Sequence, residues 1–208
     1  MKLLFVSLGI FIIDQLSKLF VKGFSIPFLN LNHPGMYPGQ SIPIVGDLFS
    51  ITFVENPGIA FGIDFGSNFK FLISIFTIAA TIGLLIYFYY IREKSFGMRL
   101  SIAIIIGGAF GNLIDRIFYG YIYGYSSLFY GKVVDFFDFR IFNLFLFNRT
   151  FGNYIFNIAD MAVTVGVILL LFNFRKSTAD NTAPISTWAG QNGKEPIRHL
   201  PDFVENKD

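Results

Sequence analysis

The chain has 208 residues, of which 53% are hydrophobic and 14% charged, and its formal net charge is +2. A soluble domain carries about 25% charged residues, so this composition indicates an integral membrane protein, and the length fits one compact domain. The small net charge argues against nucleic acid as a partner. The absence of cysteine excludes disulfides, thiolate metal sites and a cysteine nucleophile. With two histidines in the chain, we expect neither a metal site nor another cofactor.

Four apolar segments predict membrane spans, each near the ~20 residues that a bilayer core requires. The first resembles a signal peptide, but no small-residue cleavage motif follows it, so we interpret it as an uncleaved span. The predicted spans are residues 3–22, 71–91, 100–118 and 154–174. They make up one membrane domain, residues 1–176, and a polar, disordered cytoplasmic tail is predicted for residues 177–208.

Basic residues in the short connections predict the orientation of the spans. Arg92, Lys94 and Arg99 lie between the second and third spans, and Arg175 and Lys176 follow the fourth. The positive-inside rule places them in the cytoplasm. Both termini are then cytoplasmic, and the two long connections lie at the outer surface.

The outer connections contain short segments with strand or interfacial character. Residues 48–54 and 133–142 are β-prone and predict strands. Residues 59–63 form an amphipathic piece that we expect to lie on the membrane surface. The Tyr- and Gly-rich stretch 119–131 predicts an interfacial loop, with a substrate lid as the alternative.

Several polar residues lie near the outer ends of the predicted spans. Asp14 and Lys18 are four residues apart and share a helical face, as a structural ion pair or as electrostatic neighbours of a site. Asn112, Asp115 and Arg116 are neighbours at the end of the third span. We expect Arg116 to keep Asp115 ionised, which would make Asp115 part of the scaffold and not a general acid.

Three glycines precede this polar end of the third span. Gly107, Gly108 and Gly111 fall on or near one helical face. Small residues let helices approach closely in lipid, so the pattern predicts helix packing.

Asp135 and Asp160 are the two remaining acids near this depth. Asp160 begins the fourth span and fits a helix-capping role, whereas Asp135 in a β-prone segment could be an ordinary loop carboxylate. Burying an acid in a membrane is costly, so an acid that is found there usually has a function. Two that converge could share a proton and activate water, and no His, Cys or Ser–Lys system competes for such a role.

The order and spacing of these motifs resemble those of the bacterial lipoprotein signal peptidase family, signal peptidase II. The resemblance spans residues 14–160 and rests on five groups. They are Asp14-Gln15 with Ser17-Lys18, Asn56 with Gly58 and Ala60-Phe61-Gly62, Gly107-Gly108 with Gly111-Asn112 and Asp115-Arg116, Val133-Val134-Asp135-Phe136, and Phe156-Asn157 with Ala159-Asp160.

The resemblance implies an aspartyl endopeptidase of the bacterial cytoplasmic (inner) membrane, with its site at the outer face. Such enzymes cut signal peptides from prolipoproteins just before a diacylglyceryl-modified cysteine, without a metal or cofactor. The implied fold has four transmembrane helices, a small outer β-cradle and a short surface helix. The implied catalytic dyad is Asp135 and Asp160. The implied supporting or substrate-binding residues are Asp14, Lys18, Asn56, Gly108, Asn112, Asp115, Arg116 and Asn157.

Lipidated prolipoproteins and membrane lipids are therefore the expected partners, and a monomer is the expected state. Two rival functions stay open from the residues alone. A proton-coupled transporter or channel would also use acids in the membrane, although no matching relay lies in the inner half. A noncatalytic assembly subunit would need the acids only for folding.

Overall fold

A computed structural model describes residues 2–58, 67–146 and 149–182, with side chains for 2–58, 68–140 and 154–174. The amphipathic segment predicted for residues 59–63 lies outside the described residues, as does the part of the tail from 183 onwards. The helices are α1 Leu4–Lys22, α2 Ser67–Tyr90, α3 Phe96–Ile114, α4 Gly120–Ile122 and α5 Ile158–Thr182. The strands are β1 Phe24–Ile26, β2 Leu31–His33, β3 Ser41–Val45, β4 Phe49–Asn56, β5 Val133–Leu146 and β6 Arg149–Phe156.

Three helical stretches in the described part of the chain are long and apolar enough to cross a membrane. They are Leu4–Lys22, Asn68–Glu93 and Phe96–Ile122, and the helix Ile158–Phe174 is apolar but shorter. The first three contain most of the predicted spans 3–22, 71–91 and 100–118. The chain therefore has the apolar helices that its composition predicts.

The start of the fourth predicted span, residue 154, is wrong. Tyr154 pairs with Phe139 and Phe156 pairs with Phe137, so both belong to β6. Helix α5 begins only at Ile158, and it continues to Thr182, past the predicted end at 174. A run of apolar residues does not distinguish a buried strand from the helix that follows it, and the strand pairing decides the boundary.

Helix α3 is the centre of the helical layer, and α1, α2 and α5 pack against it. Its glycines permit this packing, as predicted. A Cβ on Gly107 would lie 2.8 Å from the carbonyl oxygen of Ser7, and a Cβ on Gly108 would overlap that of Ala159. A Cβ on Gly111 would overlap the Asp14 carboxylate. The backbones of α1 and α5 can thus approach the C-terminal half of α3 closely.

Two antiparallel sheets lie in the two long connections, between α1 and α2 and between α4 and α5. β1 pairs with β2, and the larger sheet has the strand order β3-β4-β5-β6. The predicted strands 48–54 and 133–142 correspond to β4 and β5, which pair with Asn56 opposite Val133 and Val54 opposite Asp135. The pairing register places Asp135 two residues from the end of the sheet.

The Tyr- and Gly-rich stretch folds back over the end of α3. The helix widens into a π-turn at Asp115–Tyr119 before the short α4. The Gly131 amide then donates to the Arg116 carbonyl (2.9 Å), and the Ser74 hydroxyl of α2 donates to the Phe129 carbonyl (2.7 Å). The stretch therefore delivers the chain to the start of β5, close to α3.

Candidate active site

Asp135 lies near the start of β5 and is only 3% exposed. The side-chain amide of Asn157 donates to Oδ1 of Asp135 at 2.7 Å. The amide of Asn56, at the end of β4, donates to Oδ2 at 3.1 Å. Asp135 is thus a buried carboxyl whose hydrogen-bond donors are neutral amides.

Asp160 is the third residue of α5 and forms a reciprocal cap with Asn157, the residue before the helix. The backbone amide of Asp160 donates to Oδ1 of Asn157 (2.9 Å), and the backbone amide of Asn157 donates to Oδ2 of Asp160 (3.2 Å). This is the capping-box arrangement. The other carboxylate oxygen, Oδ1, accepts from the amide of Asn112 at 2.8 Å, so Asp160 combines the capping role with a place in the polar cluster.

Asn157 joins the two acids. It is fully buried, and its side-chain nitrogen lies 2.7 Å from Oδ1 of Asp135 and 3.1 Å from Oδ1 of Asn112. Since Asn112 donates to Asp160, the two acids are connected through two shared amides. The structure thus brings together Asp135, Asp160, Asn56, Asn112 and Asn157, as the motifs implied.

A second group of charges surrounds Lys18. Its ammonium lies 2.8 Å from Asp14 and 2.8 Å from Asp115, and all three side chains have 0% exposure. The predicted pair of Asp14 and Lys18 is therefore present. The expected pairing of Asp115 with Arg116 is wrong, because successive helical residues point about 100° apart and Asp115 faces α1.

The acids around Lys18 also accept hydrogen bonds from the backbone next to Asp135 and Asp160. Oδ1 of Asp14 accepts from the Ala159 amide at 2.9 Å. Oδ2 of Asp115 accepts from the Val134 amide at 3.2 Å. Asp14 therefore fixes the residue that precedes Asp160, and Asp115 fixes the residue that precedes Asp135. Lys18 also donates to Oδ1 of Asn112 at 3.0 Å, which connects the two groups directly.

Arg116 is half-buried and interacts electrostatically with Asp115, Asp135 and Asp160. Its guanidinium lies beside Gly58, where a Cβ would come within 3.1 Å of Nη1. Gly58 also has a φ of +91°, a conformation that favours glycine. The guanidinium thus provides positive charge at the edge of the cluster.

The charge state of Asp135 follows from its surroundings. Burial, and then the nearby Asp160 carboxylate, raise the pKa of Asp135 to about 7. The amides of Asn56 and Asn157 oppose this rise by stabilising the charged form. At neutral pH, Asp135 therefore carries a proton for much of the time.

A cluster that the motifs did not predict lies next to Asn56. Glu55 accepts hydrogen bonds from Lys22, at the end of α1, and from Lys132 (2.9 Å), just before β5. Lys22 also lies over the rings of Tyr123 and Tyr125, at 4.4 and 5.0 Å from their centroids. Burial alone would raise the pKa of Glu55, but the two ammonium groups outweigh it and lower the pKa. No spacing rule links residues this far apart in sequence.

An apolar cavity of about 340 Å³ opens beside Asp160. Phe156, Met161, Thr164 and Val165 complete its lining. Asp135 and Asp160, with the asparagines that contact them, are called the acidic cluster below. One side of this cluster is thus accessible from an apolar surface.

The family follows from the comparison with known proteins. The family model described as signal peptidase (SPase) II matches residues 6–176, most of the chain. The chain belongs to the signal peptidase II family. Membership makes it an aspartic peptidase, and the acidic cluster is its candidate active site.

Curated relatives carry the same assignment. A lipoprotein signal peptidase of Moorella thermoacetica is 33% identical over 94% of this chain and 100% of its own length. Similar proteins with that name occur in Halothermothrix orenii, at 38% identity over 80% of this chain and 90% of the relative. Another, from Clostridioides difficile, is 38% identical over 76% of this chain and 84% of the relative.

A solved structure has the same fold. A bacterial membrane enzyme, solved by the in meso method at 2.3 Å resolution, aligns with a TM-score of 0.62 and 27% identity. The alignment covers 88% of this chain and 93% of that one. This likeness agrees with the apolar helices and small antiparallel sheets of this signal peptidase II chain.

Proposed function

We propose that Asp135 and Asp160 are the catalytic dyad of this peptidase. As a signal peptidase II, the chain removes signal peptides from prolipoproteins. The observation that supports the dyad is a contrast among the acids of the site. Asp14 and Asp115 both form ion pairs with Lys18, whereas Asp135 and Asp160 are hydrogen-bonded by side-chain amides.

The mechanism uses one proton shared by the dyad. Two neighbouring carboxylates do not both ionise at neutral pH, and we assign the proton to Asp135, whose pKa is about 7. Asp160 takes a proton from a water molecule, and the water oxygen attacks the scissile carbonyl carbon. Asp135 donates its proton to the carbonyl oxygen, giving a tetrahedral intermediate. Proton transfer from Asp160 to the departing amine, and return of the hydroxyl proton to Asp135, complete hydrolysis.

The surrounding residues support this chemistry in distinct ways. Asn56, Asn112 and Asn157 orient the dyad by hydrogen bonds. Asp14 and Asp115, with Lys18 between them, anchor the backbone before each catalytic acid. Two further residues act at the edges, Gly108 by letting α5 approach α3 and Arg116 by its charge toward substrate.

The proposed topology has four membrane spans and both termini in the cytoplasm. Helix α5 provides the fourth span. Arg92 and Lys94 lie in the cytoplasmic connection between α2 and α3, and Arg99 lies in the first turn of α3. The dyad, which lies at the opposite end of α3, then faces the outer side of the bacterial inner membrane. The four-stranded sheet above it corresponds to the β-cradle.

The proposed cleavage point is the bond just before a diacylglyceryl-modified cysteine. A site at the membrane surface lets the lipid chains stay in the bilayer while the peptide reaches the dyad. The apolar cavity beside Asp160 supports this approach. We propose a monomer in contact with membrane lipids.

The test is cleavage of a lipid-modified precursor by the purified full chain. We expect cleavage directly before the modified cysteine, identified by mass spectrometry of both products, and no cleavage of the same precursor without its lipid. Cleavage of both forms at equal rates would contradict the lipid requirement. Undiminished cleavage by the Asp160→Asn variant would contradict the assigned dyad.

A further inference from the structure

An apolar groove lies on the helical layer and extends from Leu4 to Phe110, close to the polar end of α3. It runs over α3 between α1 and α2, which both pack on α3. Its volume is about 470 Å³, and its walls include Leu4, Leu8 and Phe11 of α1, Leu85 of α2 and Phe110 of α3. The groove has the apolar lining that an acyl chain needs.

A smaller cavity of about 230 Å³ extends this groove to the end of the helices. It shares Leu4 and Leu85 with the groove, so the two cavities adjoin each other. Its remaining lining includes Tyr89, Arg92 and Arg99. The apolar groove therefore ends at a mouth with two guanidinium groups.

The arginines at this mouth have hydrogen-bonding capacity left. Nε of Arg99 is buried and has no hydrogen-bond partner among the described residues. Arg92 stacks on the Tyr89 ring at 4.7 Å from its centroid, and its Nε lies 3.4 Å from the exposed carboxylate of Glu93. A buried donor without an acceptor calls for an explanation, and an anionic ligand would supply the acceptor.

The dimensions of the groove match one leaflet of a bilayer. From residue 99 to residue 110, α3 rises roughly 16 Å at ~1.5 Å per residue. Half of a bilayer core is about 15 Å thick. A lipid with its phosphate at the arginines would thus place its acyl chain along the whole groove.

We propose that the groove between α1 and α2 binds an anionic phospholipid of the cytoplasmic leaflet. The phosphate accepts hydrogen bonds from Arg99 and Arg92, and one acyl chain lies against Leu8, Leu85 and Phe110. Basic pockets on the cytoplasmic side of helix bundles bind anionic headgroups in this way. The proposal rests on the orientation given above, but not on the identity of the catalytic dyad.

The experiment measures lipid retention by the purified full chain with native mass spectrometry. Phosphatidylglycerol and phosphatidylcholine with identical acyl chains are compared. We expect preferential retention of phosphatidylglycerol, reduced about fivefold in Arg99→Gln, since one basic residue near an anionic surface contributes about that factor. Lys94→Gln is the matched control, because it removes the same charge from an exposed position in the same connection. This variant should retain phosphatidylglycerol within about twofold of the unchanged chain.

Leu8→Trp tests the acyl-chain part of the site. Leu8 is 49% exposed and lines the groove, so a larger side chain there blocks the chain without altering the arginines. We expect this variant to retain less phosphatidylglycerol while its melting temperature without added lipid is unchanged. The variant also keeps the proposal testable if Arg99→Gln does not fold.

Several results would overturn the proposal. These are equal retention of the two lipids, an equal loss in Lys94→Gln and Arg99→Gln, and full retention in Leu8→Trp. Equally tight binding of free glycerol phosphate would indicate an anion site without a lipid. Displacement of the lipid by an unlipidated signal peptide would make the groove part of the substrate path. Precursor cleavage is measured separately, so failure here leaves the proposed peptidase function untouched.

Discussion

Two pairs of acids lie close together in this protein, and they differ in the groups that contact their carboxylates. Asp14 and Asp115 share the ammonium of Lys18 at 2.8 Å, with no exposure to solvent. Asp135 and Asp160 are bonded by side-chain amides, which stabilise a carboxylate without fixing it as charged. The proposed dyad is thus the pair whose carboxylates make no ion pair among the described residues.

The strongest test of this difference is to remove each acid of the proposed dyad. Asp135→Asn and Asp160→Asn should each lower kcat by about 10³-fold or more, because general acid–base catalysis contributes about 10²- to 10⁴-fold. Precursor cleavage by purified variants measures the effect. Asp138→Asn is the matched control, since Asp138 is also buried on β5 but bonds Thr52 and Arg140. Comparable losses of kcat in Asp135→Asn, Asp160→Asn and Asp138→Asn would contradict the assignment of Asp135 and Asp160 as the dyad.

Substitutions in the group formed by Asp14, Lys18 and Asp115 should change the stability of the folded protein. Lys18→Met leaves Asp14 and Asp115 buried without a cation, and breaking a buried ion pair costs about 3–5 kcal/mol. Thermal unfolding in detergent should show a large loss of folded protein. Adding Asp14→Asn and Asp115→Asn to Lys18→Met should recover much of it, because no unpaired charge then remains. A stable, inactive Lys18→Met variant would instead assign Lys18 to the chemistry.

A smaller effect is expected from the cluster beside Asn56. Glu55→Gln removes the charge that holds Lys22 and Lys132, and the end of β4 is then less firmly fixed. Small misplacements near a reaction cost up to about 100-fold, and we expect about a 10-fold lower kcat with an unchanged KM.

The control for Glu55→Gln is Glu93→Gln, which neutralises an exposed glutamate paired with Arg92. The double variant Glu55→Gln with Asn56→Ala should be no slower than Asn56→Ala alone if Glu55 acts through Asn56. Additive losses would show that Glu55 is not a positioning residue for Asn56.

The smallest expected effect is a pH dependence of stability. The pKa of Asp135 is about 7 in the folded protein, whereas the ordinary pKa of an aspartate side chain is 3.8. The folded state therefore holds the proton more tightly, so stability falls as pH rises from about 4 to 7. The Asp135→Asn variant lacks this loss of stability. The difference between its melting temperature and that of the unchanged protein should therefore shift in its favour by several degrees between pH 5 and pH 8. A difference independent of pH would contradict the raised pKa.

The sequence predicted the spans and motifs better than the connections between them. Apolar runs located the first three helices, and helical spacing predicted the pair of Asp14 and Lys18. The predicted start of the fourth span was wrong, because Tyr154–Phe156 are as apolar as a span but pair with β5.

Contacts between distant residues could not be predicted from spacing. Asp115 was assigned to its neighbour Arg116, but tertiary packing pairs it with Lys18 across the helix interface. The bonds from Glu55 to Lys22 and Lys132 join three separate segments. Such pairs become visible only when the register of β4 on β5 and the packing of α1 on α3 are known.

The reciprocal cap between Asn157 and Asp160 has a consequence for biosynthesis. Both residues lie at the start of α5, so they are synthesised after Asp14, Asn56, Asn112 and Asp135. A nascent chain that ends before residue 157 holds Asp135 but lacks its partner acid and the amide that orients it. With Asp160 in the proposed dyad, proteolytic activity would therefore require the synthesis of α5.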